Sequence, residues 1–457
     1  MAALMERVPC FSGQLLTPEH TLYERHRWGR NQRFDLKPRL IAMCRQESDV
    51  VAVVRWAQRE GRDLRIRSSG SCYAASSLGE DVVLDVSGLR SLALRGTELM
   101  VGAGATTADI ETFLDGQGRM AVLGTGEAVA SAGFCLGGGF SLYSRRYGLG
   151  ADQLLGVRLV DYQGRLIEAS PTHHEDLFWA LQGAGAANFG VVTSLRLQTH
   201  PVPPIVTVYN LRWPLARAAE VADLWFRWAG KCSDRFGASL QLAGGAHAPL
   251  VSILGIYLGG RSELESLLPD CPEPKGRLLS EGSYSAAVQH YSGSSSLRWQ
   301  ARSNFLDRPV DTSAMSAIVE ELSAPAPCGV HLQWNTYGGA IARVAPEATS
   351  FFHRRPLAAM QALCDWQLPQ DDAASRQWLK RFTHLIDPLG NGHAYQNHAD
   401  ELRQDWARAY FGSNLERLQE VKQRYDPHGF FRSAQGLSSA KAAQENLPEL
   451  VRTSRAP

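Results

Sequence analysis

The sequence predicts an α+β fold divided into two domains. The chain has 457 residues, which exceeds the size at which single hydrophobic cores stop growing, and 44% of its residues are hydrophobic. The proline-rich segment Pro201-Val-Pro-Pro204 indicates a domain boundary near the middle of the chain. Before it short strands alternate with helices, whereas after it strands adjoin strands, which is typical of an antiparallel α+β domain. We therefore predict domains at 1–204 and 205–404, a C-terminal segment at 405–436 and a tail at 437–457.

The first domain begins with a β-α-β pattern. An apolar strand at 39–43 is followed by Glu47-Ser-Asp49, which can cap a helix, and valines then recur at helical spacing. Leu64–Arg67 reads as the next strand, and Thr106 starts an amphipathic helix that extends to Gln117. Further short strands are predicted at 82–86, 91–94, 98–101 and 191–199, with a hairpin of 154–161 and 166–169 and a helix at 175–181.

In the second domain the polar and apolar residues of one strand alternate. Leu332 and Trp334 alternate with His331, Gln333 and Asn335, so one face should join the core and the other should form a polar wall. We predict that 331–343 is a strand pair. Other strands are predicted at 207–213, 239–242 and 251–257, and helices at 216–233, 263–268 and 415–425; the tail from 437 is expected to fray.

Two loops of small residues predict a binding site. The glycine-rich stretch, Leu123–Gly150, is dense in glycine, alanine and serine, and a second loop follows the strand that ends at Arg67 and runs to Tyr73. Such loops let backbone N–H groups approach a ligand and suit a pyrophosphate. The alternative is that these glycines serve tight turns and close packing. Gly183–Asn188 superficially resembles a dinucleotide fingerprint, but it follows a helix and lacks the third glycine, so we reject a Rossmann fold.

Composition excludes several functional classes. The formal net charge is +1 with no basic run, which gives no support to binding of nucleic acid or membranes. The eight cysteines form no CxxC pair and read as free thiols of a reducing compartment. No leader-like N-terminus and no 18-residue apolar window occur, so a cytoplasmic protein is expected. The spacing of potential ligands predicts no metal site, and neither a nucleophile elbow nor a P-loop is present.

The two loops and further motifs resemble the berberine-bridge-enzyme-like flavoproteins of the vanillyl-alcohol-oxidase and p-cresol-methylhydroxylase (PCMH) superfamily. The resemblance covers roughly residues 20–432, with the motifs in the order of the family. Besides the loops, the matching segments are Tyr147–Asp152, Asp176–Leu181, Asn188–Thr193, Gly338–Arg343, Tyr395–Asn397, Tyr410–Asn414 and Tyr425–Pro427.

The resemblance implies a PCMH-type FAD-binding domain and an antiparallel-sheet substrate domain. It also implies that 405–436 returns to the FAD domain, which is then discontinuous. The cofactor is FAD, and the residues expected to bind it are Arg67, Ser68, Ser69, Gly70, Ser71, Cys72, Gly124, Thr125, Gly126, Val129, Ala130, Ala132, Gly133, Phe134, Gly137, Gly138, Gly139, Gly190, Val191, Val192, Tyr395 and Asn397.

This sequence departs from the family at both covalent flavin attachments. Many relatives attach FAD through a histidine and a cysteine, and the matching positions here are Ser71 and Gly126. Cys72 and Cys135 lie nearby but out of register, so non-covalent FAD is expected. Val129 occupies a position that controls oxygen access in the family, and valine is the permissive choice there.

Tyr395 and His398 are the candidate catalytic residues. In alcohol-oxidising relatives a tyrosine matching Tyr395 removes the proton of the substrate hydroxyl, which requires a phenol pKa well below about 10. The alternative is a packed aromatic with a satisfied hydroxyl; for His398 it is a partly buried hydrogen-bonding residue. Tyr395 and His398 are also expected to contact substrate, together with His331, Gln333 and Asn335, for which solvent exposure or ordinary strand pairing is the alternative.

The resemblance implies an FAD-dependent oxidoreductase of bacterial-type secondary metabolism. It would transfer a hydride from a small-molecule alcohol, amine or activated C–H carbon to FAD, with molecular oxygen as the final acceptor, and act as a monomer or homodimer. A flavin-bearing cyclase or isomerase without net redox chemistry is the alternative, which the missing attachments favour. A flavin-free binding scaffold is disfavoured because the two glycine loops would then have no reason to occur together.

Overall fold

The structure of the protein is a computed structural model, which describes residues 8, 10–290 and 298–438. All but the first two residues of the predicted tail lie outside the described residues. The strands of the first half are β1 (Gln14–Leu16), β2 (Leu40–Met43), β3 (Leu64–Arg67), β4 (Val82–Asp85), β5 (Leu92–Arg95), β6 (Glu98–Gly102), β7 (Arg119–Met120), β8 (Leu154–Val160), β9 (Leu166–Ala169), β10 (Val191–Gln198) and β11 (His200–Pro201). Its helices are α1 (Tyr23–Arg27), α2 (Glu47–Arg59), α3 (Thr107–Leu114), α4 (Ser131–Leu136), α5 (Ser144–Tyr147) and α6 (Glu175–Ala184).

A small sheet of order β1-β2-β4-β3 carries the predicted β-α-β unit. β2 and β3 each pair in parallel with β4, which therefore lies between them. The connecting helix α2 begins at Glu47 because Asp49 accepts hydrogen bonds from the backbone N–H groups of Arg45 and Gln46. The carboxyl end of β3 thus delivers the loop that starts at Ser68.

A second sheet of order β5-β6-β10-β8-β9 is antiparallel. It contains the predicted hairpin, in which Gly164 takes a positive φ of 71°. The adjacent helix α3 starts as predicted, because Thr106 and Asp109 form a reciprocal capping box, but it ends at Leu114 rather than Gln117. These strands and helices share one hydrophobic core.

The second half is built on one seven-stranded sheet, which we call the large sheet. Its order is β15-β12-β14-β13-β17-β18-β16, with antiparallel pairing throughout. The strands are β12 (Val206–Pro214), β13 (Phe236–Gly245), β14 (Leu250–Tyr257), β15 (Gly276–Gly282), β16 (Arg298–Leu306), β17 (Gly329–Thr336) and β18 (Ala358–Trp366). The helices are α7 (Ala218–Ala229), α8 (Arg261–Leu267), α9 (Tyr284–His290), α10 (Thr312–Ser323), α11 (Ala340–Arg343) and α12 (Asp372–Ile386).

One face of the large sheet packs on helices and the other is polar, as the alternation predicts. Leu332 and Trp334 are fully buried in the core that includes α7, α10 and α12. On the opposite face Gln333 donates hydrogen bonds to Ser239 and Asn335. The large sheet therefore presents its polar face away from the helical layer.

The predicted strand pair over 331–343 is wrong. Only its first part is a strand, β17; Gly338 and Gly339 then take positive φ values of 89° and 57°, and the chain continues into α11. The partners of β17 are β13 and β18, which are far away in sequence. A Cβ at Gly339 would lie 2.3 Å from the Arg145 carbonyl oxygen, so Gly339 serves a close backbone approach.

The C-terminal segment packs on the first half of the chain. Helix α13 (Trp406–Phe411) places Tyr410 and Phe411 in the core of the first half, and helix α14 (Leu415–Tyr425) places Leu418 and Val421 there. The fully buried Lys422 donates hydrogen bonds to Asp426 and to the carbonyl oxygens of Asn188 and Phe431. This satisfies a cation that would otherwise be costly to bury. Among the residues described, the structure shows no helix with the length and apolar character required for a membrane span.

Candidate functional site

A cavity of about 370 Å³ lies between the small-residue loops and the segment that contains Tyr395. Its volume falls in the range of about 300–1,000 Å³ that is usual for small-molecule and cofactor sites. The wall consists mainly of small, uncharged residues. Its main contributors are 68–73, 124–125, 129–130, 132–134, 185–188, 190, 192, 395–399, 433 and 435.

The loop after β3 is held to both halves of the molecule. Arg67 pairs with Asp85 at 2.6 Å, with both side chains almost fully buried. Ser69 Oγ accepts a hydrogen bond of 3.1 Å from the Ala130 N–H, which joins this loop to the glycine-rich stretch. Asn31 donates to the carbonyl oxygens of Tyr73 and Trp299, so the loop is also tied to β16.

Within the glycine-rich stretch, α4 presents a small face to the cavity. A Cβ added at Gly133 would meet nothing closer than Ser68 Oγ at 3.9 Å, so a longer side chain there would extend into the cavity itself. Gly138 and Gly139 differ, because their φ values of 114° and 78° favour glycine and a Cβ would collide with Phe351 and Gly150 respectively. The glycine-rich stretch thus provides a helical face that borders the cavity, around Gly133, and a backbone turn at Gly138 and Gly139.

Most of the predicted cofactor-binding residues meet in this wall. Those that line it are Ser68, Ser69, Gly70, Ser71, Cys72, Gly124, Thr125, Val129, Ala130, Ala132, Gly133, Phe134, Gly190, Val192, Tyr395 and Asn397. The remaining predicted residues, which lie outside the lining, are Arg67, Gly126, Gly137, Gly138, Gly139 and Val191.

Sequence reasoning missed several residues of the wall. The segment Gly185–Asn188 was set aside because it is not a dinucleotide fingerprint, yet it lines the cavity after the kink of α6 at Gln182–Gly183. Ser433 and Gln435 come from the C-terminal segment. The run of small residues at 183–187 could have indicated a contribution to the cavity wall, whereas no local pattern indicated one for Ser433 and Gln435.

Tyr395 lies at the base of the cavity with its hydroxyl oxygen surrounded by donors. The oxygen accepts hydrogen bonds of 3.0 Å from the N–H groups of Gly139 and Phe140 and from Asn397 Nδ2. Burial raises the pKa of Tyr395 to about 12 and outweighs the three donors, which lower it, so the pKa well below 10 that was expected of a base is not found in the protein alone. A neutral phenol oxygen has two lone pairs, so the three donors would stabilise a phenolate more than a phenol once the proton has left.

Asn397 links the Tyr395 hydroxyl to the glycine-rich stretch. Its Nδ2 group also donates to the Phe134 carbonyl oxygen at 3.1 Å, which uses both of its N–H bonds. A Cβ at Gly137 would lie 1.9 Å from Asn397 Oδ1, so Gly137 is required for the close approach of the two segments.

His398 lines the cavity beside Tyr395. Its ring stacks on Tyr73 with centroids 5.4 Å apart and meets Tyr395 edge-on at 4.9 Å. Burial lowers the pKa of His398 to about 4, so the imidazole is neutral near pH 7. Tyr73 in turn accepts a hydrogen bond from Gln361 Nε2, which joins this aromatic group to the polar face of the large sheet.

The predicted substrate residues of β17 lie on that polar face but outside the cavity wall. Asn335 and Gln333 are hydrogen-bonded to each other and to Ser239. His331 Nδ1 lies 3.2 Å from Gln241 Nε2. The structure therefore brings Tyr395 and His398 together and leaves the three β17 residues in networks of their own.

Near the expected attachment positions two thiols differ in environment. Cys72 lines the cavity, whereas Cys135 is fully buried and burial raises its pKa to about 12, which suppresses its thiolate. All eight cysteines are free thiols.

Comparisons with known proteins agree with this architecture. Two family models match: "FAD binding domain" at residues 38–170 and "Berberine and berberine like" at residues 394–438. The uncharacterized FAD-linked oxidoreductase YgaK of Bacillus subtilis is 28% identical over 439 residues, covering 93% of this chain and 97% of that protein. Berberine bridge enzyme-like 1 of Arabidopsis thaliana is 28% identical, covering 89% and 86%. The crystal structure of 6-hydroxy-D-nicotine oxidase from Arthrobacter nicotinovorans superposes with a TM-score of 0.85 at 24% identity, covering 94% and 98%, and shares the fold.

Proposed function

We propose, from the premise that this chain is a berberine-bridge-enzyme-like FAD-linked oxidoreductase, that it oxidises a small organic molecule at an alcohol, amine or activated C–H carbon. The substrate would belong to bacterial-type secondary metabolism. A protein named 6-hydroxy-D-nicotine oxidase has the same fold, which supports a small organic substrate. The donor geometry around the Tyr395 oxygen is the observation that carries the proposal.

The wall of the cavity fits FAD. When bound, FAD would supply the acceptor for two electrons. The backbone of Ser68–Cys72 and the small face of α4 would hold it, because Gly133 leaves open space there and the lining residues are mainly uncharged. Gly190 and Val192 would also line the space around it.

Tyr395 would accept the proton that the substrate loses. A general base must be ionised when it acts, so binding of cofactor and substrate would have to lower the pKa that burial raises to about 12. The three N–H donors would contribute to this through charge-assisted hydrogen bonds to the phenolate. The neutral His398, which shares the cavity with Tyr395, would orient the substrate by a hydrogen bond from one ring nitrogen.

The cofactor would be bound without a covalent bond. Ser71 and Gly126 stand at the attachment positions, and the buried thiol of Cys135 is a poor nucleophile. Acid precipitation should therefore release all flavin into the supernatant. A denatured chain that carries the added mass of FAD would contradict this, and Cys72 would be the first suspect.

Molecular oxygen would reoxidise the cofactor, because Val129 lines the cavity and the resemblance implies that valine permits oxygen access. The free thiols support a reducing, cytoplasmic location. A monomer or a homodimer remains our expectation for the assembly.

A flavin-bearing cyclase or isomerase without net redox chemistry is the second candidate. The lost attachments favour it, because an unattached flavin has a lower potential and oxidises difficult substrates less readily. Anaerobic mixing with a panel of alcohols, amines and phenols separates the two. Bleaching of the flavin absorbance supports oxidation, whereas product of unchanged mass without bleaching would establish the cyclase.

A further inference from the structure

Three potential metal ligands meet at one end of the large sheet. His331 lies in β17, Asp365 lies in β18 and His247 lies in the connection between β13 and β14. One ligand atom from each lies within 4.8 Å of the other two. His247 Nε2 is 2.8 Å from Asp365 Oδ1, and the two imidazole rings have centroids 4.5 Å apart. We propose that these side chains bind one divalent transition-metal ion of the Zn²⁺ class.

The sheet fixes two of the ligands relative to each other. Gly329 pairs with Asp365, and His331 pairs with Leu363, so His331 and Asp365 are diagonal neighbours on the same face of two adjacent strands. Such neighbours lie within reach of side-chain contact. Backbone pairing therefore sets their separation.

A tight turn delivers the third ligand. Gly245 takes a positive φ of 64°, the His247 N–H donates to the Gly244 carbonyl oxygen, and the Ala246 N–H donates to the Cys328 carbonyl oxygen at 2.9 Å. The turn that carries His247 is thus anchored to the residue directly before β17.

Gly329 leaves the space that the His247 ring occupies. A Cβ at Gly329 would lie 2.0 Å from His247 Nε2, much closer than any real contact. The absence of a side chain at this position is therefore what allows His247 to lie over the strands beside Asp365.

The neighbouring amide can set the tautomer that metal binding requires. Gln241 Nε2 lies 3.2 Å from His331 Nδ1, and an amide turned by 180° would place its carbonyl oxygen there instead. Nδ1–H would then donate to that oxygen, and Nε2 would keep a free lone pair for the metal. Metal-binding histidines usually make such a hydrogen bond with the second ring nitrogen.

The donor set suits Zn²⁺. Two imidazole nitrogens and one carboxylate oxygen are typical of sites that keep a fourth position open, and the His247 side chain is 35% exposed, which gives solvent access. Two ligands of a tetrahedral ion with bonds of about 2.0–2.1 Å lie roughly 3.3 Å apart. The present 2.8 Å contact would lengthen by about half an ångström as the ion replaces the hydrogen bond.

Equilibrium dialysis of the flavin-loaded protein against Zn²⁺ tests the proposal. We expect one tightly bound Zn²⁺ per chain in the wild type. Asp365→Asn and His247→Ala should each weaken binding at least about tenfold. Gly329→Ala should do the same while all three ligands are kept, because the added Cβ pushes the His247 ring away.

His384→Ala is the matched control, since His384 is exposed on α12 and should leave Zn²⁺ binding unchanged. Flavin content and the Tm of each variant establish that it has folded. Absence of saturable Zn²⁺ binding in the wild type would overturn the proposal. Binding that is equally strong in folded Gly329→Ala and His247→Ala would also overturn it, because the ion would then be bound elsewhere.

Discussion

At the scale of single residues, the main feature is the unequal balance of donors and acceptors at the Tyr395 oxygen. Ser303, Phe351 and Gly138 surround its backbone and ring, so the side chain has one orientation. Three N–H groups then converge on the oxygen. A residue held in this way keeps its position when the phenol ionises, which is the preorganisation that a general base requires.

Replacing Tyr395 by phenylalanine should therefore remove chemistry and keep the fold. Anaerobic flavin reduction by substrate should slow by about 10²–10⁴-fold, the usual contribution of a general base. Stopped-flow absorbance measures it. Tyr23→Phe is the matched control, since it also deletes a buried hydroxyl that donates one hydrogen bond, to the Pro38 carbonyl oxygen. Reduction at an unchanged rate in Tyr395→Phe would transfer the role of base to His398.

The buried His353 should make stability dependent on pH. Its ring stacks on Phe305 and Nε2–H donates to the Tyr410 carbonyl oxygen, and burial lowers its pKa to about 3. In the unfolded chain the histidine binds a proton near pH 6.5, whereas in the folded chain it does so only near pH 3. The free energy of unfolding therefore decreases as pH falls from 6.5 toward 3.

His353→Gln keeps the donor and removes this titration. Between pH 6.5 and 4.5 the wild type should lose roughly 2–3 kcal/mol more unfolding free energy than the variant. Urea denaturation of both proteins at both pH values measures these losses. Titrating groups that the two proteins share contribute equally and cancel when the losses are subtracted. Parallel losses in the two proteins would show that His353 takes up its proton over the same pH range in the folded and the unfolded chain.

At the scale of elements, the glycine-rich stretch does two different things along its length. Around Gly133 it forms the helical face that borders the cavity, and around Gly138 it forms a turn under Phe351 and Tyr395. The density of glycine does not distinguish the cavity-lining helix from the turn, because the sequence does not show which groups lie next to each glycine.

Gly133→Leu should expel the flavin without unfolding the protein. Leucine is a better helix former than glycine by roughly 0.8 kcal/mol, so α4 should tolerate it, while the side chain would fill the cradle. Gly133→Ala is the control, because its Cβ would remain 3.9 Å from Ser68 Oγ. The ratio of flavin to protein after purification is the measurement. Full occupancy in a folded Gly133→Leu protein would remove α4 from the site.

At the scale of the whole molecule, a buried ion pair joins the two halves of the chain. Arg354, which precedes β18 and is fully buried, makes two hydrogen bonds of 2.8 Å to Asp152 after α5. It also donates to the Phe351 carbonyl oxygen. The pair therefore couples the end of the glycine-rich stretch to the large sheet.

Arg354→Met should destabilise the protein by about 3–5 kcal/mol, because it leaves the Asp152 carboxylate with little solvent and no cation. Urea denaturation gives the change. Arg217→Met removes an exposed pair with Glu220 and should leave the free energy of unfolding nearly unchanged. Equal effects of the two substitutions would mean that solvent reaches Asp152. Combining Arg354→Met with Asp152→Asn should recover part of the loss.

Much of this fold was predictable from local patterns. Helix α14 begins and ends at the predicted residues, the hairpin β8–β9 forms, and Leu332 and Trp334 enter the core. The predicted partner of β17 was wrong because pairing depends on strands that are distant in sequence, and a glycine pair resembles a hairpin turn whether or not a strand follows it.

By itself the sequence determined the fold class and the two glycine loops, because hydrophobic periodicity and small-residue density are local properties of a chain. The resemblance to the family then implied about half of the residues that line the cavity. The tertiary structure decided which groups face one another. The two backbone donors to Tyr395 are 255 and 256 residues away, and His247 meets Asp365 across 118 residues, beside His331. No spacing rule connects such residues, because the cores and the strand register bring them together only when the whole chain has folded.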